Sequence, residues 1–139
     1  MAKSAYAAPW NKGETVGPKR PFTIEQVRMI RMALTAKGDI RGLAMFATAI
    51  STCLRAGDLL RLRLHDVMSQ GEIVHHFLVR QRKTGKAVRV NLLPECRKSL
   101  AAWIAFKGLT EPGNRLWHMD RFRYSQIVKE WTKLAFLDP

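Results

Sequence analysis

One stretch of the sequence places an arginine where it could bind an anion. In CLRAGDLLRL, Cys53–Leu62, Arg55 stands between an apolar run that ends near Leu54 and a second run that begins at Leu59. A guanidinium on such a scaffold either extends to water along its aliphatic stem or is held in place to meet an anion. The residues alone leave both interpretations open.

A second stretch concentrates positive charge around one predicted turn. Two β-prone runs, EIVHHFLVR and KAVRVNLL, flank QRKTG, which predicts a β-hairpin whose turn holds Lys83, Thr84 and Gly85. Lysines at a hairpin tip can enter a groove or clamp phosphates, but a turn also needs polar residues simply to be solvated. Between Glu72 and Glu95 there is no acid, and the basic residues on the hairpin and its exit are Arg80, Arg82, Lys83, Lys86, Arg89, Arg97 and Lys98.

Composition favours a polyanionic partner. The 139 residues carry a net charge of +13, with 47% hydrophobic and 25% charged residues, as in a globular domain. This surplus of positive charge indicates nucleic acid first and an anionic membrane surface second. No apolar run is long enough to span a membrane, and no signal peptide opens the sequence. Cys53 and Cys96 lie in apolar contexts without CxxC spacing, which predicts free core thiols in a reducing compartment.

The elements that must position these cations are mostly helical. Helices are predicted over 23–38, 40–53, 56–61, 95–107 and 121–135, with Thr23 and Gln26 forming a capping box. Ile24, Val27, Ile30 and Leu34 should share the inner face of the first helix, and the second should be the core helix. The fold class is therefore α+β, mostly α, with one small antiparallel hairpin or three-stranded sheet.

Two segments are predicted. Residues 1–21 mix Gly, Pro and Lys without periodicity, which indicates a flexible lead-in or linker, and residues 22–139 form the folded domain. Within that domain Ile50 and Leu54 should be buried, while Arg55 should open onto a concave basic surface shared with the hairpin tip.

The order and spacing of these features resemble the catalytic domain of the tyrosine recombinases, the phage integrase family. The stretch from Leu54 to Leu60 resembles the family's arginine motif, with Asp58 where Glu is usual. QRKTGKAVRVNLL resembles its lysine hairpin, and FTIEQVRMIRMAL its opening helix. The resemblance spans about residue 21 to the C-terminus and predicts a partial catalytic domain of the same fold.

The resemblance implies a chemistry for Arg55 and Lys83. In the family a tyrosine hydroxyl attacks a DNA phosphodiester, giving a 3′-phosphotyrosyl link and a free 5′-hydroxyl. Arg55 matches the guanidinium that binds two non-bridging oxygens, and Lys83 matches the lysine that protonates the departing 5′-oxygen. Asp58 could steady Arg55, although a merely structural Arg55–Asp58 ion pair is the alternative. Neither a metal nor a cofactor is implied.

The remainder of the family's site has no convincing match. An H-x-x-R sequence occurs at His118–Arg121, with Tyr124 close behind, but it precedes the helix that should come before the box. The more plausible role of this stretch is local, at the N-terminus of the last helix. No nucleophile is identified, so the sequence predicts a recombinase fragment that stops before the H-x-x-R box and the catalytic tyrosine, inactive alone.

Other kinds of site have weaker support. His75 and His76 are neighbours in a predicted strand, so they should face opposite sides, one in the core and one on the surface, and cannot chelate one metal. No P-loop, GxGxxG motif or Ser-His-Asp order is present.

The partner predicted for the chain is double-stranded DNA, bound through Arg80, Arg82, Lys86 and Arg89. No membrane and no small-molecule substrate is predicted. The chain should be a monomer in isolation, a bacterial or phage-encoded cytoplasmic protein associated with DNA. The alternative function is a non-catalytic basic nucleic-acid-binding module with the same fold.

Overall fold

The computed structural model describes residues 22–136. The predicted lead-in, residues 1–21, lies outside the described residues. Within the described range the chain forms six helices and four short strands: α1 Ile24–Lys37, α2 Ile40–Thr52, α3 Ala56–Leu60, α4 Leu64–Val67, β1 Met68–Ser69, β2 Glu72–Ile73, β3 His76–Arg80, β4 Ala87–Asn91, α5 Pro94–Lys107 and α6 Arg121–Ala135. The predicted class, mostly helical with a small antiparallel sheet, is confirmed.

Helix α1 begins at the predicted capping box. The Gln26 amide donates to Thr23 Oγ1 at 3.1 Å, and the Thr23 amide donates to Gln26 Oε1 at 2.9 Å. These reciprocal bonds satisfy amide groups that a helix start otherwise leaves unpaired. Ile30 and Leu34 are buried as expected, but Ile24 is 80% exposed. As the first residue of the helix, Ile24 lies beyond the part of α1 that packs on the core.

Helix α2 is the core helix, as predicted. It packs mainly against α5 and also against α1, and Phe46 meets Trp131 of α6 edge-on at 5.0 Å between ring centroids. Its last turns depart from the prediction, because Ile50 is 36% exposed and Leu54 is only half-buried. Cys53, which ends the helix in a left-handed conformation with φ 57°, is also exposed. Cys96 is buried, so one of the two predicted core thiols is correct.

The sheet structure consists of two separate antiparallel pairs, where one hairpin or a three-stranded sheet was expected. Strands β3 and β4 pair over five residues with Leu78 opposite Arg89, while β1 and β2 form a smaller pair. The apolar run from Glu72 to Arg80 is interrupted at Val74 and His75, where the chain bends between the two sheets. Both His75 and His76 are therefore exposed, and the expected core histidine is wrong.

Two tryptophans fix the loop between α5 and α6 to the rest of the core. The Trp103 indole donates to the Leu116 carbonyl at 2.9 Å, and the Trp117 indole donates to the Leu59 carbonyl at 3.1 Å. The two buried rings stack at 6.4 Å between centroids. Because the second bond ends on α3, this loop supports the short helix that follows Arg55.

No helix among residues 22–136 has the length and apolar character that crossing a membrane requires.

Candidate nucleic-acid interface and catalytic cations

Arg55 lies where the chain turns from α2 into α3. After Cys53 the backbone becomes extended at Arg55, with φ −66° and ψ 155°, and the Arg55 carbonyl accepts the first hydrogen bond of α3 from the Leu59 amide at 2.9 Å. Arg55 is exposed, although apolar runs flank it on both sides. The buried residues of α3 are Asp58, Leu59 and Leu60, so the chain enters the core only three residues after Arg55.

The Arg55 guanidinium has no ion pair within the described part of the chain. The predicted partner, Asp58, instead pairs with Arg61, one helical turn further on. Arg61 follows the helical path of α3, whereas extended Arg55 does not share the i,i+3 geometry that would bring its side chain to Asp58. The expected Arg55–Asp58 pair is therefore wrong, and Arg55 keeps its hydrogen-bonding capacity for a ligand.

Asp58 has a second contact that its position in the sequence did not suggest. Its side chain is 2% exposed, and its Oδ1 atom accepts a hydrogen bond from the backbone amide of Arg82 at 3.1 Å. This bond connects the first turn of α3 directly to the loop between β3 and β4. Arg55 and Lys83 therefore lie on two elements in contact: Arg55 begins α3, and Lys83 follows Arg82.

The loop that carries Lys83, residues 81–86, is held by its own hydrogen bonds. The Gly85 amide donates to the Gln81 carbonyl at 2.8 Å, and the Lys86 amide donates to Thr84 Oγ1 at 3.1 Å. The Arg80 guanidinium donates to the Gly85 carbonyl at 2.5 Å. Gly85 has φ 74°, a conformation that other residues rarely adopt, as its place in the turn predicted. Lys83 is exposed on this ordered loop.

The other predicted DNA contacts extend from the loop onto one face of the sheet. Leu78 pairs with Arg89 and Arg80 pairs with Ala87, so Arg80 and Arg89 are diagonal neighbours on the exposed face. Val79 and Val90 on the opposite face are buried. Arg82 and Lys86 are exposed in the loop. All four predicted residues thus belong to one cationic hairpin surface.

Tyr124 is enclosed in the core. It is 8% exposed and meets Trp131 edge-on at 5.9 Å between ring centroids. Burial raises the pKa of Tyr124 to about 12. A phenol that is neutral and shielded from solvent is a poor nucleophile near neutral pH.

The residues of the H-x-x-R sequence lie at the start of α6. Asp120 caps the helix by accepting from the Arg123 amide at 2.9 Å, which is the local role predicted for this stretch. His118 and Arg121 are exposed. Among residues 22–136, no three His, Cys, Asp or Glu side chains converge into a possible metal site.

An open apolar groove of about 640 Å³ lies between α1, α2 and α6, and sequence reasoning missed it. Val27, Ala49 and Val128 form part of its walls, and two further lining residues, Ile50 and Phe136, are 36% and 68% exposed. The signal was present in the sequence as an apolar face on all three helices. Periodicity shows that such a face exists but does not show what covers it.

A family model described as the phage integrase family matches residues 22–136, and the chain therefore belongs to that family. This confirms the resemblance found in the arginine motif and the lysine hairpin. A search among curated proteins gives no match.

The fold is similar to that in a crystal structure of XerA recombinase. The TM-score is 0.69 at 20% sequence identity, over 88% of this chain and 46% of that chain. At this identity the likeness concerns the fold alone. The chain spans about half the length of that structure.

Proposed function

We propose that this chain binds double-stranded DNA as part of a tyrosine recombinase catalytic domain, in which it supplies two catalytic cations, Arg55 and Lys83. Membership of the phage integrase family supports this function. The observation that carries the assignment of the site is the Asp58–Arg82 hydrogen bond, because it links the helix that begins after Arg55 to the loop that carries Lys83.

The two cations suit two different tasks in phosphodiester cleavage. The Arg55 guanidinium has a planar fork of donors that can bind two non-bridging phosphate oxygens and stabilise the charge that develops on them. The Lys83 ammonium can give its proton to the 5′-oxygen as the bond from phosphorus to that oxygen breaks. The ordered loop limits the positions from which Lys83 can do so.

The cationic hairpin surface, Arg80, Arg82, Lys83, Lys86 and Arg89, supplies the DNA contacts. These side chains are exposed, and the carboxylate nearest to them, Asp58, is buried and already paired. Such a surface attracts phosphates without reading base sequence, so binding should depend strongly on salt.

Gel-shift titrations at two ionic strengths test this function. We expect weak, largely sequence-independent binding to duplex DNA that falls by about tenfold or more between 50 and 200 mM salt. Replacing Lys83 and Lys86 together by Ala should weaken binding more than replacing Lys3 and Lys12, a control that removes the same charge. Affinity that ignores salt, or no binding at low salt, would contradict the proposal.

Catalysis by this chain alone is not expected. The one tyrosine among the described residues, Tyr124, is buried with a raised pKa, and two phosphate ligands of the family's site have no match here. We expect no covalent protein–DNA band after incubation with a nicked suicide substrate and denaturation. A band that disappears with Tyr124→Phe would instead assign His118 and Arg121 to the active site.

The alternative, a non-catalytic basic nucleic-acid module, is favoured by that same burial of Tyr124. The two functions differ in whether this chain can restore activity to a recombinase that lacks the two cations. The test uses a recombinase polypeptide that contains this sequence with Arg55→Ala and Lys83→Ala. If it regains cleavage when this chain is added, the chain supplies catalytic cations. Failure of that complementation, with DNA binding intact, supports the binding module.

A further inference from the structure

Asp58 is the one charged residue that is buried within residues 22–136. Removing a carboxylate from water costs several kcal/mol unless partners replace the lost hydration. Both of its hydrogen bonds converge on one atom, Oδ1, which accepts from the Arg61 guanidinium and from the Arg82 amide. The pair with Arg61 balances the charge of Asp58 within α3, but it does not explain why Asp58 also accepts a hydrogen bond from the Arg82 amide.

The two partners contribute differently. The Arg61 side chain is 40% exposed and lies three residues from Asp58 on the same helix, so this ion pair stays within α3 and connects it to no other element. The Arg82 amide belongs to a segment 24 positions away in the chain. A charged acceptor also makes a stronger bond to an amide than a neutral one does. The bond to Arg82 is therefore the contact that Asp58 is suited to make.

Rigidity inside the loop makes this single bond consequential. The bonds among residues 80–86 hold the loop as one unit. Of the hydrogen bonds described for residues 22–136, the one from Arg82 to Asp58 is the only one that connects this unit to α3. Anchoring a rigid unit at one point next to Lys83 restricts where the lysine stem begins.

We propose that Asp58 is a positioning residue, whose buried carboxylate anchors the 81–86 loop to α3 and so sets the place of Lys83 relative to Arg55. This inference rests on the proposed function, and it assigns to Asp58 a partner different from the one its spacing from Arg55 suggested. Asp58 itself touches no substrate in this role.

The first test measures the anchor without DNA. In Asp58→Ala the Arg82 amide should exchange with solvent at least tenfold faster and its proton resonance should move upfield, while amides of α2 and α5 keep their protection. Asp58→Asn keeps an oxygen acceptor and should retain most of the protection at Arg82. The matched control is Asp66→Ala, which removes a carboxylate that accepts from the Arg63 amide and should leave exchange at Arg82 unchanged.

The second test asks whether the anchor acts through Lys83. Lys83→Ala should weaken DNA binding severalfold in the wild-type background and less than twofold in the Asp58→Ala background, since a misplaced Lys83 already contributes less to DNA affinity. If Asp58→Ala does not fold, Arg82→Pro removes the same donor from the loop side and leaves the Asp58–Arg61 pair intact. Because Arg82 is itself a proposed DNA contact, Arg82→Ala, which loses the same side chain but keeps the amide, is the reference for that variant.

The outcomes separate the two proposals. Unchanged exchange at Arg82 in Asp58→Ala overturns the anchor. Faster exchange with fully additive effects of the two substitutions overturns the positioning role, because Asp58 would then act on the fold alone. If the wild-type chain does not bind DNA, the proposed function fails and the role assigned through Lys83 fails with it, whereas exchange at Arg82 still decides whether the anchor exists.

Discussion

Tyr124 is a residue whose protonation is coupled to folding. Burial raises its pKa to about 12 from an ordinary value near 10, so the native state keeps the phenol proton at a pH where the unfolded chain has lost it. The stabilisation is complete below pH 10 and is lost as the pH rises toward 12.

This coupling predicts a measurable difference between the wild-type chain and Tyr124→Phe. Between pH 9 and pH 11.5 the free energy of unfolding of the wild type should fall by about 2 kcal/mol relative to that of the variant, in which the titration is absent. Urea denaturation at the two pH values measures it. Lysine titration affects both proteins equally, so parallel pH profiles would show that the phenol is solvated.

At the scale of single residues, sequence reasoning identified local hydrogen bonds but not the partners of Asp58. The capping residues Thr23 and Gln26 were identified, and the stretch His118–Arg121 was assigned to the start of the last helix, because such bonds are local and depend only on spacing. Asp58 was assigned to Arg55, but its partners are Arg61 and the Arg82 amide. A contact across 24 positions depends on how α3 meets the hairpin, which spacing along the chain does not encode.

At the scale of an element, the conformation of the β3–β4 loop predicts how substitution of Gly85 affects stability. Gly85 has φ 74°, and an added Cβ would meet no atom within 4 Å. Alanine at this position would therefore be strained by the backbone conformation and not by a collision. Gly85→Ala should destabilise the protein by about 1 kcal/mol and lower Tm by about 3–5 °C.

Gly113→Ala is the control for that substitution. Gly113 also has open space but no positive φ, so alanine should leave Tm unchanged or slightly raised, because it restricts the unfolded chain. Thermal unfolding followed by circular dichroism compares the two variants. Equal Tm values for both would contradict a strained left-handed loop position.

The long helices, the short helix α3 and the main hairpin were predictable, and the shortest elements were not. Helices α1, α2, α5 and α6 carry several turns of apolar pattern, and strands β3 and β4 flank a glycine turn. Helix α4 and strands β1 and β2 have two to four residues each, too few to show a period. Helix α4 begins where residues 62–65 bond to the loop at 112–116, which is a tertiary contact.

At the scale of the whole molecule, positive charge and the apolar groove act in opposite directions. The net charge of +13 disfavours association between copies, while the groove of about 640 Å³ exposes apolar surface. We expect charge repulsion between copies to outweigh burial of the groove at low salt, so that the chain is a monomer as predicted.

Sedimentation velocity over a range of protein concentrations and two salt concentrations tests the monomer. A dimer that forms at low salt would contradict it. Ile50→Glu places a charge in the groove wall and should leave the sedimentation coefficient unchanged if the groove is not an interface between copies. Gln126→Glu is the matched control, because it adds the same single negative charge at an exposed position of α6 outside the groove lining.

The exposed thiol at the end of α2 provides a site at which a label can be attached next to the groove. The sequence has two cysteines, and only Cys53 is exposed, whereas burial raises the pKa of the Cys96 thiol and lowers its thiolate fraction. Cys53 also lines the groove. A fluorophore can therefore be attached at that wall in the native protein without engineering, and its emission would report the arrival of any polypeptide that covers the groove.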